Sequence, residues 1–550
     1  MEQFEHIVNV VNSYVWSKPD ILPLMVVVLL SYGIFITLRL GFVQLRRFAH
    51  GVKVVTGYYD NPDDTGDINH FQALSTALSA TVGIGNIAGV AIAIHYGGPG
   101  ALFWMWVTAF FGMAIKFSEC TLSLKYRKKN PNGTVSGGPM YYIERGLGKN
   151  WKWLAIAFAV FAVTCSMFTG NAIQANTVAD TMQSAFNFPK MLTGVVVAGI
   201  IFVVIIGGIK RIGRVTARLT PFMAVIYVLA GLFILLINYD QIIPAFGTIF
   251  TYAFSPKAGA LGVGSGAFML TLVWGIKRGL FSNEAGQGSA AIAHAAAKTE
   301  EPAREGVVAS LGPFIDTLVV CTITALVIIT TGVWEQKHPE QLKLNSVGIN
   351  YTFDETSQHK DMLIVKNGVI QNGEIIRNDF PVDTLYTNEQ QTSTFTGEIN
   401  VGGDQINAYN QKEEEVNIIY GNIVENGAPL TAQGFEAGLA PLMPGGEHIV
   451  TFAVLLFAIS TTISWSYYGD RSIQYLLGDR SIIYYKYVYV LLNFIGATLP
   501  LATVWTIGDI ALGLMTFPNI IALFALSGTV YATAKDYFAK IDRIEAEMEE

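Results

Sequence analysis

Two long apolar stretches of this chain are each interrupted by a glycine-rich segment that contains the pattern Asn-x-Ala-Gly. The first segment runs from Thr81 to Gly89 and the second from Gly279 to Gly288. Glycine destabilises a helix interior, and unwound backbone in hydrocarbon leaves N–H and C=O groups without partners. Such breaks are tolerated where the freed groups line a cavity and hold a polar ligand. A pair of them, one in each half of the chain, predicts the binding site of a secondary transporter.

The composition is that of a membrane protein. Of 550 residues, 51% are hydrophobic and 14% are charged, with a mean hydropathy of +0.41. Soluble domains carry about 25% charged residues. Many segments exceed the roughly 20 apolar residues that cross a bilayer. We therefore expect an all-α polytopic protein embedded in lipid, and its three cysteines, which fall in apolar runs, to be packed hydrophobes rather than a disulfide framework.

Apolar runs between turn signals predict eleven transmembrane helices. The first run is too long for the apolar part of a signal peptide and lacks a small-residue cleavage site, so it is interpreted as a retained span. The predicted spans cover residues 20–41, 71–95, 100–124, 152–184, 191–208, 217–237, 262–296, 306–333, 447–476, 483–505 and 512–534.

Basic residues concentrate in the loops that follow the odd-numbered spans. Examples are Arg46 and Arg47 after span 1 and Lys128 and Lys129 after span 3. Cytoplasmic loops of membrane proteins carry such an excess of lysine and arginine. The pattern predicts a multi-pass protein with the N-terminus outside and the C-terminus in the cytoplasm, and we expect it in a bacterial inner membrane.

Residues 334–446 form a polar segment between spans 8 and 9, on the predicted external side. The segment has far more acidic than basic residues, so the net charge of −7 of the whole chain arises there. Short β-like runs are separated by Asn367-Gly368, Asn372-Gly373 and Asn426-Gly427, which are hairpin signals. A small β-rich external insertion is expected, and disorder is the alternative.

Without the first span, ten spans remain and divide into two sets of five. A broken helix opens each set, and because five is odd the two sets enter the membrane from opposite sides. This arrangement predicts an inverted repeat preceded by one extra N-terminal helix. The expected domains are 1–69 (N-terminal helix and cytoplasmic linker), 70–238 (first repeat), 260–333 with 447–535 (second repeat), 334–446 (external insertion) and 536–550 (cytoplasmic tail).

Several long motifs resemble the alanine or glycine:cation symporter family. They are the runs 66–74, 83–89, 97–106, 137–141, 277–286 and 465–469. The resemblance covers nearly the whole chain except the external insertion, which is not part of the family pattern. It implies the leucine-transporter-like (LeuT) fold and sodium-coupled import of a small neutral amino acid, alanine or glycine, by alternating access.

A zwitterionic amino acid needs N–H donors for its carboxylate and acceptors for its ammonium group. Backbone N–H groups at the N-terminus of a half-helix suit the carboxylate. The resemblance gives this role to the Gly-x-Gly-Asn segment, so the candidates are Thr81, Gly83, Ile84, Gly85 and Asn86. The family pattern has threonine at the position of Ile84, and this departure leaves the choice of substrate open. Close packing of helices is the alternative role of the glycines.

Amide carbonyl groups of Asn171 and Gln174 could accept from the ammonium group. Their spacing of three places them on one helix face, and the resemblance favours Gln174. Interhelical hydrogen bonding is the alternative. The resemblance also makes Phe281 and Trp465 candidate walls of a small side-chain pocket.

Sodium prefers several oxygen ligands, which unwound helix ends provide. By resemblance, the candidate sodium ligands are carbonyl groups near Ser79 and Val82 and the hydroxyl groups of Ser460 and Thr461, with Thr462 left open. Hydroxyl groups that bond back to their own helix are the alternative.

Four charged residues lie within predicted spans: Lys277, Arg278, Glu284 and Asp316. They are interpreted as structural ion pairs or a cytoplasmic gate rather than substrate contacts.

Other classes of function have little support in the sequence. The chain has no nucleotide-binding Gly-x-x-x-x-Gly-Lys-Ser/Thr motif, and no nucleophile–base or metal constellation is evident. We therefore expect no enzyme activity, no catalytic residues, no organic cofactor and no nucleic-acid partner, with sodium as the co-transported cation. The open alternatives are glutamine as substrate, proton coupling, or an amino-acid sensor. The oligomeric state is also open, with a monomer among the alternatives.

Overall fold

The chain is a helical membrane protein with a β-rich segment. Five helices in its described part are long and apolar enough to cross a membrane, and two bent helix pairs also qualify when each counts as one span. The computed structural model describes residues 16, 18–19, 23–131, 133–254, 266–342, 344–345, 349–354, 357, 361–377, 380–382, 384–402, 405–416, 418–498 and 501–549.

The first broken helix begins at a well-formed cap. The Asn69 side chain accepts a hydrogen bond from the Gln72 N–H (2.8 Å), and the Gln72 side chain accepts one from the Asn69 N–H (3.2 Å). This capping box satisfies two N–H groups that the helix itself leaves free. The elements in this part are α1 (Leu24–Arg39), α2 (Val43–Arg46), α3 (Phe48–Val55), α4 (His70–Thr81), a π-helical segment (Gly85–Gly89) and α5 (Val90–Gly97).

The next elements complete the first half of the chain. Predicted span 6 begins too late, because the helix already starts at Gly208 and continues through Pro221. α9 ends at Asn187, which adopts a left-handed conformation (φ 56°). The elements are α6 (Ala101–Lys125), β1 (Lys128–Lys129), β2 (Val135–Ser136), α7 (Pro139–Gly146), a 3₁₀ turn (Lys149–Trp151), α8 (Lys152–Met167), a π-helical segment (Phe168–Ala172), α9 (Ile173–Phe186), α10 (Lys190–Ile205), α11 (Gly208–Ile237) and a second 3₁₀ turn (Tyr239–Gln241).

The second broken helix follows an additional short helix that the sequence pattern did not predict. Predicted span 7 begins at residue 262, which lies outside the described residues, and the described helix is interrupted after Asn283. The elements are α12 (Ile242–Phe254), α13 (Gly266–Asn283), α14 (Ser289–His294), α15 (Pro302–Pro313), a π-helical segment (Phe314–Cys321), α16 (Thr322–Thr330) and a 3₁₀ turn (Val333–Glu335).

The segment after this turn forms antiparallel sheets with their own apolar core, which includes Leu363 and Phe395. The strands are β3 (Lys337–Leu342), β4 (Ile349–Phe353), β5 (Met362–Lys366), β6 (Val369–Ile370), β7 (Gly373–Arg377), β8 (Phe380–Pro381), β9 (Leu385–Tyr386), β10 (Gly397–Asn400), β11 (Asn407–Asn410), β12 (Glu415–Val416) and β13 (Ile419–Val424). The sheet orders are β12-β11-β10-β5-β6, β3-β13-β9 and β4-β7-β8.

One of the three predicted hairpin signals forms a two-residue hairpin. Asn367 and Gly368 both have positive φ (51° and 81°) and connect β5 to β6. Asn372-Gly373 instead leads into β7, which pairs with β4. Asn426 caps a helix, since its side chain accepts from the Gly427 N–H (2.6 Å). The strands of the predicted β-rich insertion therefore end at Val424, and a helix follows in its last part.

The remaining helices correct two predicted spans. Predicted span 10 extends too far, because its helix ends at Gly496, and predicted span 11 begins too late. The last membrane helix bends by 61° into the C-terminal helix. The elements are α17 (Gly427–Leu439), α18 (Glu447–Leu477), α19 (Ser481–Gly496), α20 (Leu501–Ala525) and α21 (Ser527–Glu549).

The two broken helices lie inside the bundle. α4 packs against α11 and α18, and α13 packs against α5 and α6. α17 lies on the π-helical segment of the first broken helix, where the Thr431 hydroxyl donates to the Ile87 carbonyl (3.0 Å). These contacts place both breaks among other helices rather than against lipid, as unwound membrane backbone requires.

Candidate functional site

The first break separates α4 from α5 by a bend of 56°. The Gly83 N–H donates to Asn86 Oδ1 (2.9 Å), and the Asn86 N–H donates to the Gly83 carbonyl (3.1 Å). The side chain of Asn86 therefore caps the start of the second half-helix. Because the N-terminus of a helix carries partial positive charge, the residues just before this cap are suited to an anionic group.

The second break follows Asn283, whose side chain accepts from the Ala285 N–H (3.0 Å). Glu284, Gly286 and Gly288 all have positive φ (54°, 89° and 79°). A left-handed glutamate costs free energy and persists only where the surroundings hold it. Here its carboxylate accepts a hydrogen bond from the Ser289 hydroxyl. The helix is thus unwound over residues 284–288.

The two breaks face one small central cavity. Its volume is about 30 Å³, enough for a water molecule, so an amino acid fits only after side chains in the wall have moved. Most predicted substrate residues line it, together with the predicted sodium ligand Thr461. The lining residues are Ala80, Thr81, Gly83, Ile84, Gly85, Thr169, Gln174, Phe281, Glu284, Thr461, Trp465 and Leu512.

Asn86 lies behind this cavity and connects the two broken helices. Its Nδ2 group donates to Ser282 Oγ (3.3 Å), to the Asp316 carbonyl (3.2 Å) and to the Asp316 carboxylate. All three residues are buried. The predicted substrate ligand Asn86 therefore acts on the shape of the first break, and Asp316 is its buried partner.

Asn171 and Gln174 point in different directions. The Asn171 amide donates to the Tyr489 carbonyl (2.7 Å) and accepts from Asn493 (2.8 Å), so it connects α19 to the π-helical segment. Gln174 lines the cavity and donates to the Thr169 carbonyl (3.1 Å). In the described part of the chain, Gln174 Oε1 and Thr169 Oγ1 are buried atoms without a hydrogen-bond partner. Such acceptors fit an ammonium group.

Two aromatic side chains form walls of the cavity at places where the backbone comes close. A Cβ atom at Gly85 would lie 3.3 Å from Phe281 Cδ1, and a Cβ atom at Gly170 would overlap the Trp465 side chain. Glycine at these positions lets the two rings lie against the unwound backbone. Bulky walls of this kind limit the side chain of a ligand.

The predicted sodium ligands form a buried cluster of neutral oxygen atoms between α4 and α18. Thr461 Oγ1 donates to the Ser79 carbonyl (3.1 Å), and Ser460 Oγ lies 3.3 Å from the same oxygen. Ser79 Oγ donates to the Ser460 carbonyl (2.8 Å). Val82 follows directly after α4 and is fully buried. Hydroxyl and carbonyl oxygens in this number are suited to a hard monovalent cation.

The central cavity is closed on the side of the loop 56–69. Glu305 binds His70 with one carboxylate oxygen and His294 with the other (2.5 Å). The Arg127 guanidinium donates to the carbonyl groups of Thr65, Ala295, Ala297 and Thr299 (2.6–3.1 Å). We call this set of four bonds the Arg127 clamp.

Two charged groups in this region, which lies outside the membrane-spanning segments, have shifted pKa values. Burial lowers the pKa of the Arg127 guanidinium below its usual range. The Thr65 hydroxyl, by its hydrogen bond, holds the pKa of Glu300 below the ordinary value. Burial thus disfavours the charged form of Arg127, whereas the Thr65 bond favours the charged form of Glu300.

On the opposite side a larger cavity of about 740 Å³ begins at Ile84, which also lines the central cavity. We call it the external vestibule, because the orientation predicted from the basic residues would put it outside. Its walls come from α9, α17 and α18, with Asp180, Glu447 and His448 among the lining residues. The insertion contributes Arg377.

Sequence reasoning missed part of the cavity wall. Glu284 was assigned to an ion pair or a gate, yet its side chain lines the cavity. Thr169 and Leu512 were not considered. Thr169 sits in the π-helical segment Phe168–Ala172, and π-helical turns occur often at functional sites. No signal in a single sequence identifies such a turn.

A polar cavity between two unwound membrane helices defines the class of secondary transporters. Comparison with solved structures shows the fold. The crystal structure of MhsT in complex with L-phenylalanine matches with a TM-score of 0.50 at 9% sequence identity, covering 86% of this chain and 92% of that chain. The chain therefore has the LeuT fold.

The chain belongs to the sodium:alanine symporter family, whose sequence model matches residues 1–365 and 416–550. The sodium/alanine symporter AgcS of Methanococcus maripaludis is 43% identical over 537 residues, with 97% of each chain covered. The probable sodium/glutamine symporter GlnT of Bacillus subtilis is 32% identical over 534 residues, with 97% of this chain and 90% of the relative covered. The family resemblance noted in the sequence is confirmed, and the protein is a transporter rather than an enzyme.

Proposed function

We propose that the protein imports a small neutral amino acid, alanine or glycine, together with sodium by alternating access. One observation carries the proposal. The cluster of neutral oxygens at Ser79, Ser460 and Thr461 adjoins the same break that lines the central cavity. A Cβ atom at Gly83 would lie only 2.7 Å from Thr461 Oγ1. Cation and amino acid would therefore bind next to each other, which couples their binding.

The roles of the individual groups follow from their chemistry. The start of the second half-helix, at Gly83, Ile84 and Gly85, would hold the carboxylate. The free acceptors of Gln174 and Thr169 would hold the ammonium group. Phe281, Trp465 and the small volume of the cavity support a substrate with a short side chain.

The topology is proposed as eleven spans in a bacterial inner membrane. The first span has its N-terminus outside, and the two sets of five that follow form an inverted repeat. We keep the domain limits 1–69, 70–238, 260–333 with 447–535, 334–446 and 536–550. The distribution of basic residues supports this orientation, and it places the external vestibule on the outer face.

Uptake into proteoliposomes tests the function. The purified protein is reconstituted, and radiolabelled alanine is added outside with a sodium gradient, a potassium gradient, or a proton gradient. Accumulation that requires the sodium gradient is expected, and unlabelled glycine should compete. Equal uptake in all three conditions would rule out sodium coupling, and uptake only with the proton gradient would assign proton coupling.

Glutamine is the second candidate substrate. Similarity to a probable sodium/glutamine symporter supports it, while the small cavity and the walls Phe281 and Trp465 do not. Competition of glutamine against alanine uptake decides between them. A glutamine inhibition constant below that of alanine would favour the second candidate.

A further inference from the structure

We propose that Arg377 of the external insertion is a substrate-binding residue of the entry path, which binds the carboxylate of the arriving amino acid in the external vestibule. The inference rests on the proposed import of an amino acid and adds a role for the insertion. Arg377 lies within residues 366–415, which the family model does not match, so this residue belongs to the part of the chain that sets it apart from the family pattern.

Arg377 lines the same vestibule as Ile84 of the first break. Ile84 lines both cavities, and Arg377 lines the vestibule together with Asp180, Glu447 and His448. With a volume of about 740 Å³, the vestibule has the size of a small-molecule site, about 300–1,000 Å³. An amino acid that enters along this path passes the insertion before it reaches the first break.

The backbone holds Arg377 in a fixed position. Arg377 is the last residue of β7, where it pairs with Ile349 of β4 on one side and with Phe380 of β8 on the other. Its Nη2 group donates to Glu340 Oε1 (3.2 Å). A central position in a sheet leaves little freedom for the backbone, so the base of the Arg377 side chain stays beside the vestibule.

The insertion is in turn attached to the first broken helix. Glu340 lies on β3, which pairs with β13, and β13 leads into α17. The Glu425 carbonyl, in the connection, lies 3.0 Å from His95 Nδ1 of α5. Thr431 of α17 donates to Ile87 beside the break. The insertion therefore keeps its place relative to the path.

The charges along the vestibule suit a zwitterion. Arg377 offers a guanidinium, which binds carboxylates with two parallel bonds. Asp180, which pairs with Lys190, and Glu447 provide negative charge for an ammonium group. The side chains of Arg377 and Glu340 are 22% and 34% exposed, and an ion pair this exposed is weak. A substrate carboxylate can therefore take the place of Glu340.

Alanine uptake by an Arg377→Gln variant tests the proposal. Lys412→Gln is the matched control, because Lys412 is an exposed cation of the same insertion away from the vestibule lining. In Arg377→Gln the KM for external alanine should rise about three- to tenfold with an unchanged maximal rate, as expected for loss of a charge at an entry rim. The control should keep the KM of the unchanged protein. Equal KM values for both variants would overturn the proposal.

A charge-rescue experiment separates the role of the charge from an effect on folding. The three native cysteines are buried, so an Arg377→Cys variant can be labelled selectively at this position. A cationic methanethiosulfonate reagent should restore the KM, and an anionic one should raise it further. Equal effects of the two reagents would contradict the proposal. If the unchanged protein carries another amino acid instead of alanine, the proposed substrate fails and the same comparison is made with that amino acid.

Discussion

The side chains around the central cavity offer oxygen atoms to two kinds of ligand. Gln174 and Thr169 present buried acceptors, while Thr461 bonds to the carbonyl groups at the end of α4. Loss of an acceptor at Gln174 or Thr169 should weaken binding of the amino acid, and loss of the Thr461 hydroxyl should weaken binding of the cation. Single substitutions can therefore separate the two sites by their kinetics.

Gln174→Ala should weaken alanine transport. The substitution removes the amide oxygen that would accept from the ammonium group, and a hydrogen bond to a charged group contributes about 1.5–3 kcal/mol, so the KM should rise at least about tenfold. Proteoliposome uptake at saturating sodium measures it. Gln183→Ala, an exposed position on the same helix, serves as control. An unchanged KM in Gln174→Ala would remove Gln174 from the site.

Thr461→Ala should raise the sodium concentration needed for half-maximal uptake about tenfold, because a charge-assisted oxygen contact is lost. Uptake of alanine as a function of sodium concentration measures the change. Thr462→Ala is the control, since the Thr462 hydroxyl bonds to Ala458 of its own helix (2.9 Å). A larger effect in Thr462→Ala than in Thr461→Ala would assign the sodium contact to Thr462 instead of Thr461.

At the level of single residues, the sequence predicts where the first helix is broken. It does not predict that Asn171 and Gln174 point in different directions. The glycines and Asn86 identify the unwound segment, because their chemistry requires it. Asn171 and Gln174 are three residues apart, which places them together on an α-helix. The π-helical segment inserts an extra residue into the turn that holds Asn171, so Asn171 contacts α19 while Gln174 lines the cavity.

The two broken helices depend on each other through one amide. Asn86 closes the first break through Gly83 and reaches Ser282, just before the second break, and Asp316 of the third π-helical segment. A movement of one break therefore changes the hydrogen bonds of the other. Such a shared element can transmit binding at the first break to the second.

Asn86→Ala should lower both stability and transport. The substitution leaves the Gly83 N–H without its side-chain acceptor and removes one donor from the buried Asp316 carboxylate, which keeps the Ser282 hydroxyl (3.1 Å). Loss of such a partner costs about 1–3 kcal/mol. A lower melting temperature in detergent and uptake reduced at least about tenfold are expected. Asn238→Ala is a suitable comparison, because Asn238 bonds to Ile234 of its own helix (2.9 Å). A variant with unchanged melting temperature and uptake would show that the amide is dispensable.

The ends of helices were predicted correctly where glycine, asparagine or proline residues form a turn in the structure. Asn187-Phe188-Pro189 ends α9 as expected. Residues 506–511 fall between predicted spans 10 and 11, but they lie within α20, and Gly508 is one of them. A Cβ atom there would lie 2.6 Å from Thr169 Oγ1, so the glycine serves close packing on the π-helical segment. Sequence alone does not separate a packing glycine from a turn glycine.

The whole molecule is open toward one side and closed toward the other. The external vestibule extends from Ile84 to the insertion. On the other face, the Arg127 clamp and the bonds of Glu305 to His70 and His294 hold the segments together. This asymmetry corresponds to one of the two states that alternating access requires.

The family-specific motifs predicted the transporter class, but they contain nothing about the insertion that borders the vestibule.

Replacing residues 343–418 by Asn-Gly should leave the membrane part folded. Leu342 of β3 and Ile419 of β13 are paired directly, so a two-residue turn can join them. The variant loses Arg377 but keeps α17 on the first broken helix. Its melting temperature and maximal uptake rate should match the full chain, with the KM for alanine raised as in Arg377→Gln. A loss of the maximal rate would show that the sheets act on the transport cycle itself.

The Arg127 clamp gives the opening of the closed face a particular character. One guanidinium satisfies carbonyl groups on both sides of the seam, at Thr65 before the first broken helix and at Ala295, Ala297 and Thr299 after the second. When the segments separate, these bonds cannot loosen one by one without leaving a partly buried cation short of acceptors. The face should therefore open cooperatively, as a switch between two discrete arrangements, rather than by gradual fraying of its loops.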